Sequence, residues 1–443
     1  MQRREWLRCS LLAVLAHLSG GKSGGTAAVV GHIEDSDLAL GSLPPVASET
    51  LEQIDVVVQQ AIERGETAGA VVLIVHKDRP LYGKAFGDRL QQPQRQPMTM
   101  DTLFDLASLT KPVATASAIM RLVEAGQLRV SDAVARYWPD FATEGKEKIT
   151  LEHLLLHTSG LIADNPLADY AEGARQAWER IARLKLLSPP GERFRYSDVG
   201  YLVLGRVVEL VSGQSLEVFC RKQLWEPLGM KNTDYELTED QKRRSAGTGR
   251  RQDRILQGEV HDPRAALLGG VAGHAGLFST AQDLARFCCM LLRGGELDGK
   301  QLFREPTVRQ WITPRRVVVG QSSSGAITTG LRAYGWDVDT PYSAPRGELF
   351  PKDRSYGHTG FTGTSLWLDP ATKTAVILLT NRLHPDEKGN VTPLRRQVST
   401  LAARAVGYGK PEKSPRNLLE DYLRNGSRTV GLALGLQILV TQG

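Results

Sequence analysis

The chain has 443 residues, 41% of them hydrophobic, and a formal charge of +6 at neutral pH. That length allows one large domain or two ordinary ones, and the composition is that of a globular protein. The basic runs Lys242-Arg243-Arg244 and Arg250-Arg251 are short and carry no interleaved aromatic residues, so no nucleic-acid surface is expected.

Residues 1–8 are basic, 11–18 form a short apolar run and 19–28 are rich in small residues. This is the order of a secretory signal, too short for a membrane span, so export to the periplasm or cell envelope is expected. Arg3-Arg4-Glu5-Trp6-Leu7 also resembles a twin-arginine signal. No window elsewhere is apolar enough to cross a bilayer, and no internal repeat is present. Cys9, Cys220, Cys288 and Cys289 show neither metal spacing nor a disulfide framework, and buried free thiols are expected for the adjacent pair.

The folded domain is expected over residues 45–407. A helix is expected over 48–64, where Leu51, Ile54, Val58, Ala61 and Ile62 form a stripe and Ser48 or Thr50 could cap. Residues 70–76 and 81–87 read as two strands of a hairpin around Lys77-Asp78-Arg79-Pro80. Then comes Ser108-Leu109-Thr110-Lys111-Pro112. Pro112 is tolerated only near a helix start, which places Ser108 at the amino-terminal end of a segment closed by Gly126. A serine and a lysine three apart share one helical face, and the amine could take the hydroxyl proton a nucleophile must lose.

Short helices are expected over 150–156, 169–187, 199–211 and 216–224, with a polar turn at His157-Thr158-Ser159-Gly160 and Tyr196-Ser197-Asp198 before the third. Residues 238–257 read as a mobile polar insert. Gly269, Gly270, Gly273 and Gly276 bracket His274 and suit close backbone approach to a cleft. His261, Asp262 and His274 lack a third ligand at convincing spacing, so no metal is expected. A helix over 280–292 has Thr280 as its cap, strands follow at 355–360, 364–368 and 375–380, and a helix over 392–405 closes the domain. Short turns between these strands imply antiparallel pairing. Strands at both ends with helices between give an α+β fold: an antiparallel sheet flanked by helices, with an inserted helical region and a cleft between the two parts. Residues 408–443 read as a linker and the opening of a truncated second domain.

Three motifs converge: Ser108-Leu109-Thr110-Lys111, Tyr196-Ser197-Asp198 and His358-Thr359-Gly360. Their order and spacing resemble the serine β-lactamase and penicillin-binding-protein superfamily, in its class C-like branch of esterases and D-alanyl-D-alanine carboxypeptidases. The phrases at 154–161 and 269–279, with Val260-His261-Asp262, are similar to the penicillin-binding-protein 4B-like group. Residues 429–443 resemble the start of an exo-N-acetylmuramidase domain.

The resemblance implies a β-lactamase/transpeptidase-like fold and a serine hydrolase working through an acyl-Ser108 intermediate, with no cofactor. Its substrates would be small esters or D-Ala-type cell-wall peptides. Lys111 and Tyr196 would share the proton work, the division between them left open, since a phenol with an ordinary pKa near ~10 needs nearby cations to act as a base. Asp198, His358, Thr359, Gly360 and Phe361 would bind substrate, and the N–H groups of Ser108 and Phe361 would hold the oxyanion. Two positions depart from the family pattern. His358 stands where lysine is common, and Asp198, which when ionised only accepts, where asparagine is common. Pairing of Asp198 with Lys111 would favour the charged amine and shift the base role toward Tyr196. Both departures imply weak or no β-lactam hydrolysis. The alternative is a non-hydrolytic penicillin-binding or sensor module on the same scaffold.

Overall fold

The computed structural model describes residues 45–409; the expected signal segment and most of the tail lie outside them. The first sheet strands are β1 (Gly69–His76), β2 (Arg79–Leu90) and β3 (Gln96–Pro97). Those supplied from the far end of the domain are β4 (Arg315–Gln321), β5 (Ile327–Ala333), β6 (Trp336–Asp339), β7 (Tyr356–Thr359), β8 (Ser365–Asp369) and β9 (Thr374–Thr380). They form one antiparallel sheet in the order β4-β5-β6-β7-β8-β9-β1-β2-β3. The two ends of the domain meet at its centre, where Ala70 pairs with Thr380 and His76 with Thr374.

Side-chain alternation along β1 divides its residues between two cores. Ala70, Val72 and Ile74 pack under the terminal helices Pro45–Glu63 and Thr392–Ala405, with Ile54, Val58, Leu394 and Val398. Val71, Leu73 and Val75 face the larger core that the helical insertion completes. The hairpin turn holds Lys77 and Asp78 at positive φ, as a two-residue turn requires. The architecture is therefore the expected α+β arrangement, with the helical insertion lying between β3 and β4.

Several local expectations are corrected. The first helix begins at Pro45, so neither Ser48 nor Thr50 caps it. Residues 169–187 are not one helix: a 3-10 turn, Leu167–Tyr170, and a helix, Ala174–Ala182, are separated by Gly173 at positive φ. The polar insert is ordered as the helix Glu239–Arg244, capped by Thr238, and a hairpin of Gly247–Arg251 with Arg254–Gln257. β4, β5 and β6 carry half-polar sequences and were not among the expected strands; Val317-Val318-Val319 is the β-branched signal for the first. By contrast, Thr280 caps Ala281–Leu292 and the closing helix spans Thr392–Ala405 as expected. Cys220, Cys288 and Cys289 are buried free thiols. Among the described residues, no helix is long and apolar enough to cross a membrane.

Candidate active site

The loop carrying Ser108 is tied down on both sides. Phe104–Asp105 pairs with Phe278–Ser279. The buried Asp105 carboxylate accepts from the Ala107 N–H at 2.8 Å and the His261 N–H at 2.7 Å. From the sheet, Thr362 donates to the Asp105 carbonyl and Thr364 to that of Leu106. These anchors hold Ala107 at a φ of +45°, a strained conformation for a residue with a Cβ. Ser108 then sits in a 3-10 turn, Ala107–Leu109, followed by a π-helical stretch, Lys111–Ala116, and the α-helix Ser117–Glu124. The expected single helix is thus three helical forms in series, the irregular turns falling where Ser108 and Lys111 must face each other.

Lys111 is fully buried, and its Nζ reaches three oxygens: Ser108 Oγ at 2.9 Å, Asp198 Oδ1 at 2.6 Å and the His274 carbonyl at 3.2 Å. It also lies 4.9 Å from the centre of the Tyr196 ring. Burial by itself would depress this amine, but Asp198 and Tyr196 outweigh it, and the pKa is raised. Burial raises the Tyr196 phenol against the lowering influence of Lys111 and Ser108. Both directions favour an ammonium and a neutral phenol in the resting site. Asp198 makes the pairing its chemistry suggested. It opens the helix Asp198–Ser212, which Ser197 caps by accepting from the Gly200 N–H at 3.0 Å. The dipole of that helix favours a carboxylate in its first turn.

The opposite wall is β7 and the turn after it. His358 is buried, and burial together with Lys111 and Arg332 pushes its imidazole well below the ordinary range, so it brings no charge. Gly360 is required by close approach: a Cβ there would fall 2.3 Å from the Leu106 carbonyl oxygen. Phe361 is 60% exposed, between the His261 ring at 5.7 Å and the Arg382 guanidinium at 4.5 Å. Ser108, Tyr196, His358, Thr359, Gly360 and Phe361 line one cleft of about 390 Å³, so the three motifs converge on a single space. Lys111 and Asp198 stand behind its surface.

Other cleft residues were not anticipated. Arg382 donates to the carbonyls of Phe361 (2.6 Å) and Gly389 (2.9 Å). Arg395, which is buried where Arg382 is half-buried, donates to those of Gly360 and Thr364 at 2.8 and 2.9 Å. Neither has a carboxylate within ion-pair distance among the described residues. Burial, with Arg382 nearby, brings Arg395 down to about 9. Its sequence signal is a charge inside the apolar stripe formed by Leu394, Val398 and Leu401. His157 is the turn residue expected, at positive φ, with Nδ1 accepting from the Ser197 N–H at 3.0 Å and its ring stacked 4.3 Å from Tyr196. His274 pairs with Asp262 at 2.9 Å, and the described residues contain no cluster able to hold a metal. Gly273 serves close approach of a different kind: a Cβ would meet the Tyr201 carbonyl oxygen at 2.0 Å. Tyr201 and Trp367 are buried in the two cores.

Comparison with known proteins places this geometry. The sequence model of the beta-lactamase family matches residues 54–400. An Escherichia coli (strain K12) protein named as a D-alanyl-D-alanine carboxypeptidase is 32% identical over 374 residues, covering 76% of this chain and 83% of the relative. A Bacillus subtilis (strain 168) protein named N-acetylmuramyl-L-alanine amidase is 31% identical over 387 residues, covering 78% and 85%. Among solved structures, a penicillin-binding protein homologue from Caulobacter crescentus superposes with a TM-score of 0.65 at 24% identity, covering 83% of this chain and 99% of that one. The β-lactamase/transpeptidase-like fold is thereby shared.

Proposed function

Because the chain belongs to the beta-lactamase family, we propose that it is a serine hydrolase whose nucleophile is Ser108. The observation that carries this reading is Lys111 Nζ, held 2.9 Å from Ser108 Oγ and 2.6 Å from Asp198 in a buried setting. Ser108 Oγ attacks a carbonyl, and the Ser108 and Phe361 N–H groups receive the oxyanion, a donor pair of which each member is worth about 100- to 1000-fold in rate. The leaving group takes a proton from the Tyr196–Lys111 pair, and water then cleaves the acyl-serine. With Asp198 keeping Lys111 charged, Tyr196 is the better base. Its anion would form beside that ammonium, at the cost of a rate that rises with pH.

Arg382 and Arg395 favour a peptide ending in a free carboxylate, of the D-Ala type, over a simple ester, since each is a cation that donates to carbonyls and has no carboxylate within ion-pair distance among the described residues. Thr359 and Gly360 would align that peptide, beside the neutral His358. Such a substrate belongs to the cell envelope, in keeping with an exported chain. β-Lactams would acylate Ser108 and leave slowly. A penicillin-binding sensor is the second reading, supported by the absence of charge on His358.

The test is one panel of a p-nitrophenyl ester, a D-Ala-D-Ala peptide and a penicillin, run with the wild type and Ser108→Ala. Turnover of the first two, lost in the variant, is expected. Turnover kept by a folded Ser108→Ala would overturn the assignment, and a persistent penicillin adduct without ester or peptide turnover would select the sensor.

A further inference from the structure

The Tyr196 ring is clamped from both faces. His157 stacks on it at 4.3 Å and 25°, and Tyr342 at 5.1 Å and 29°. Phe194 closes the cluster edge-on, 6.2 Å from His157 and 6.0 Å from Tyr342. The two clamping residues differ in kind. His157 is buried, whereas Tyr342 is 43% exposed and lines the cleft that contains Ser108.

Tyr342 is also held firmly. Its N–H donates to Thr340 Oγ1 at 3.1 Å, and that hydroxyl donates to Asp337 Oδ1 at 2.8 Å. Asp337 is in turn buried against Arg332. An aromatic ring whose backbone is anchored in this way, with one face spent on Tyr196 and surface left toward the cleft, is a recognition element rather than a stray exposed side chain.

We propose that Tyr342 is a positioning residue for Tyr196 and the wall against which the substrate's acyl group packs, selecting acyl groups with a flat, unsaturated or aromatic face. The proposal rests on the acyl-serine reading above. The acyl side is assigned to this wall because the cations Arg382 and Arg395 gather elsewhere, around Phe361 and Gly360, where a leaving-group carboxylate would sit. One stacked ring contributes about three- to tenfold in affinity.

Boronic acids, which form tetrahedral adducts with a serine Oγ, probe the wall without needing turnover. Affinities of benzylboronic and methylboronic acid are measured for the wild type, Tyr342→Ala, Tyr342→Phe and Ser108→Ala. The wild type should prefer the benzyl compound, Tyr342→Ala should lose about three- to tenfold of that preference, and Tyr342→Phe should recover most of it. Tyr342→Ala should also lower kcat on p-nitrophenyl acetate, whose acyl group is too small to use the wall, and Tyr342→Phe should restore it. Equal affinities in the wild type, no binding of either acid, or a preference that survives Tyr342→Ala would overturn the wall. An unchanged kcat would overturn the positioning role. Ser108→Ala separates the two readings: if it binds as the wild type does, the serine assignment fails while the benzyl preference still reports on Tyr342.

Discussion

The helical and the strand walls of the cleft treat charge in opposite ways. On the helical wall the Lys111 ammonium is matched by Asp198 and surrounded by the Ser108 hydroxyl and the His274 carbonyl. On the strand wall His358 is neutral, and Arg382 and Arg395 donate to carbonyls, with no carboxylate within ion-pair distance among the described residues. Keeping a guanidinium buried without a carboxylate is costly unless something supplies the anion. A wall whose charges are closed on one another is suited to moving protons. A wall whose cations remain open is suited to holding an anionic ligand.

The largest effect should come from breaking the closed wall. Lys111→Met removes the amine beside Ser108 and leaves Asp198 alone, so ester kcat/KM should fall by about 100- to 10,000-fold; a smaller loss in steady-state assays would free Lys111 from the proton work. On the open wall, Arg395→Met should weaken a carboxylate-terminated peptide by about ten- to a hundredfold, the worth of a charge-assisted hydrogen bond, and a neutral ester by much less. Equal losses would make Arg395 a structural residue.

Asp198→Asn should act more gently and in a diagnostic direction. Asp198 raises both the Tyr196 phenol and the Lys111 amine, so its removal should move the alkaline rise of kcat/KM to lower pH. A pH–rate profile that stays in place would show that Lys111 does not share in that titration.

The smallest effect concerns stability. Burial holds His157 and His358 well below the ordinary imidazole range in the folded protein, while the unfolded chain takes up protons near about 6.5. The unfolded state therefore binds more protons as pH falls, and stability present above that pH is lost below it. Tm should drop between pH 7 and 5, and a double His157→Asn, His358→Gln variant should show a shallower slope.

Much of this contrast was legible before any coordinates. The meeting of the helical wall's residues could be read because they sit in motifs whose spacing has chemical meaning: Ser108 and Lys111 three apart, Tyr196 and Asp198 at the mouth of a helix. The chemistry of Asp198, acceptor only, pointed to Lys111 as its partner. The strand wall was half visible. His358 and Thr359 end a strand and Gly360 and Phe361 begin the turn after it, but Arg382, in the loop after β9, and Arg395, on the helix Thr392–Ala405, reach that turn only through contacts across the fold that leave no local pattern. Tyr342 was hidden for the same reason. It reaches Tyr196 through β5 and β6, strands whose short, half-polar sequences lack the alternation that marks a buried sheet. The strain at Ala107 likewise depends on Asp105, Thr362 and Thr364, which lie far apart in the chain.

The most direct test of the central claim is to catch the acyl group in place. The protein is mixed with an activated ester, quenched in acid within the first turnover, digested and mapped by mass spectrometry. A single acyl group on the peptide that contains Ser108, absent after Lys111→Met at the same quench time, is the predicted result. An adduct on any other residue, or one that forms on Ser108 equally fast without Lys111, would contradict the account.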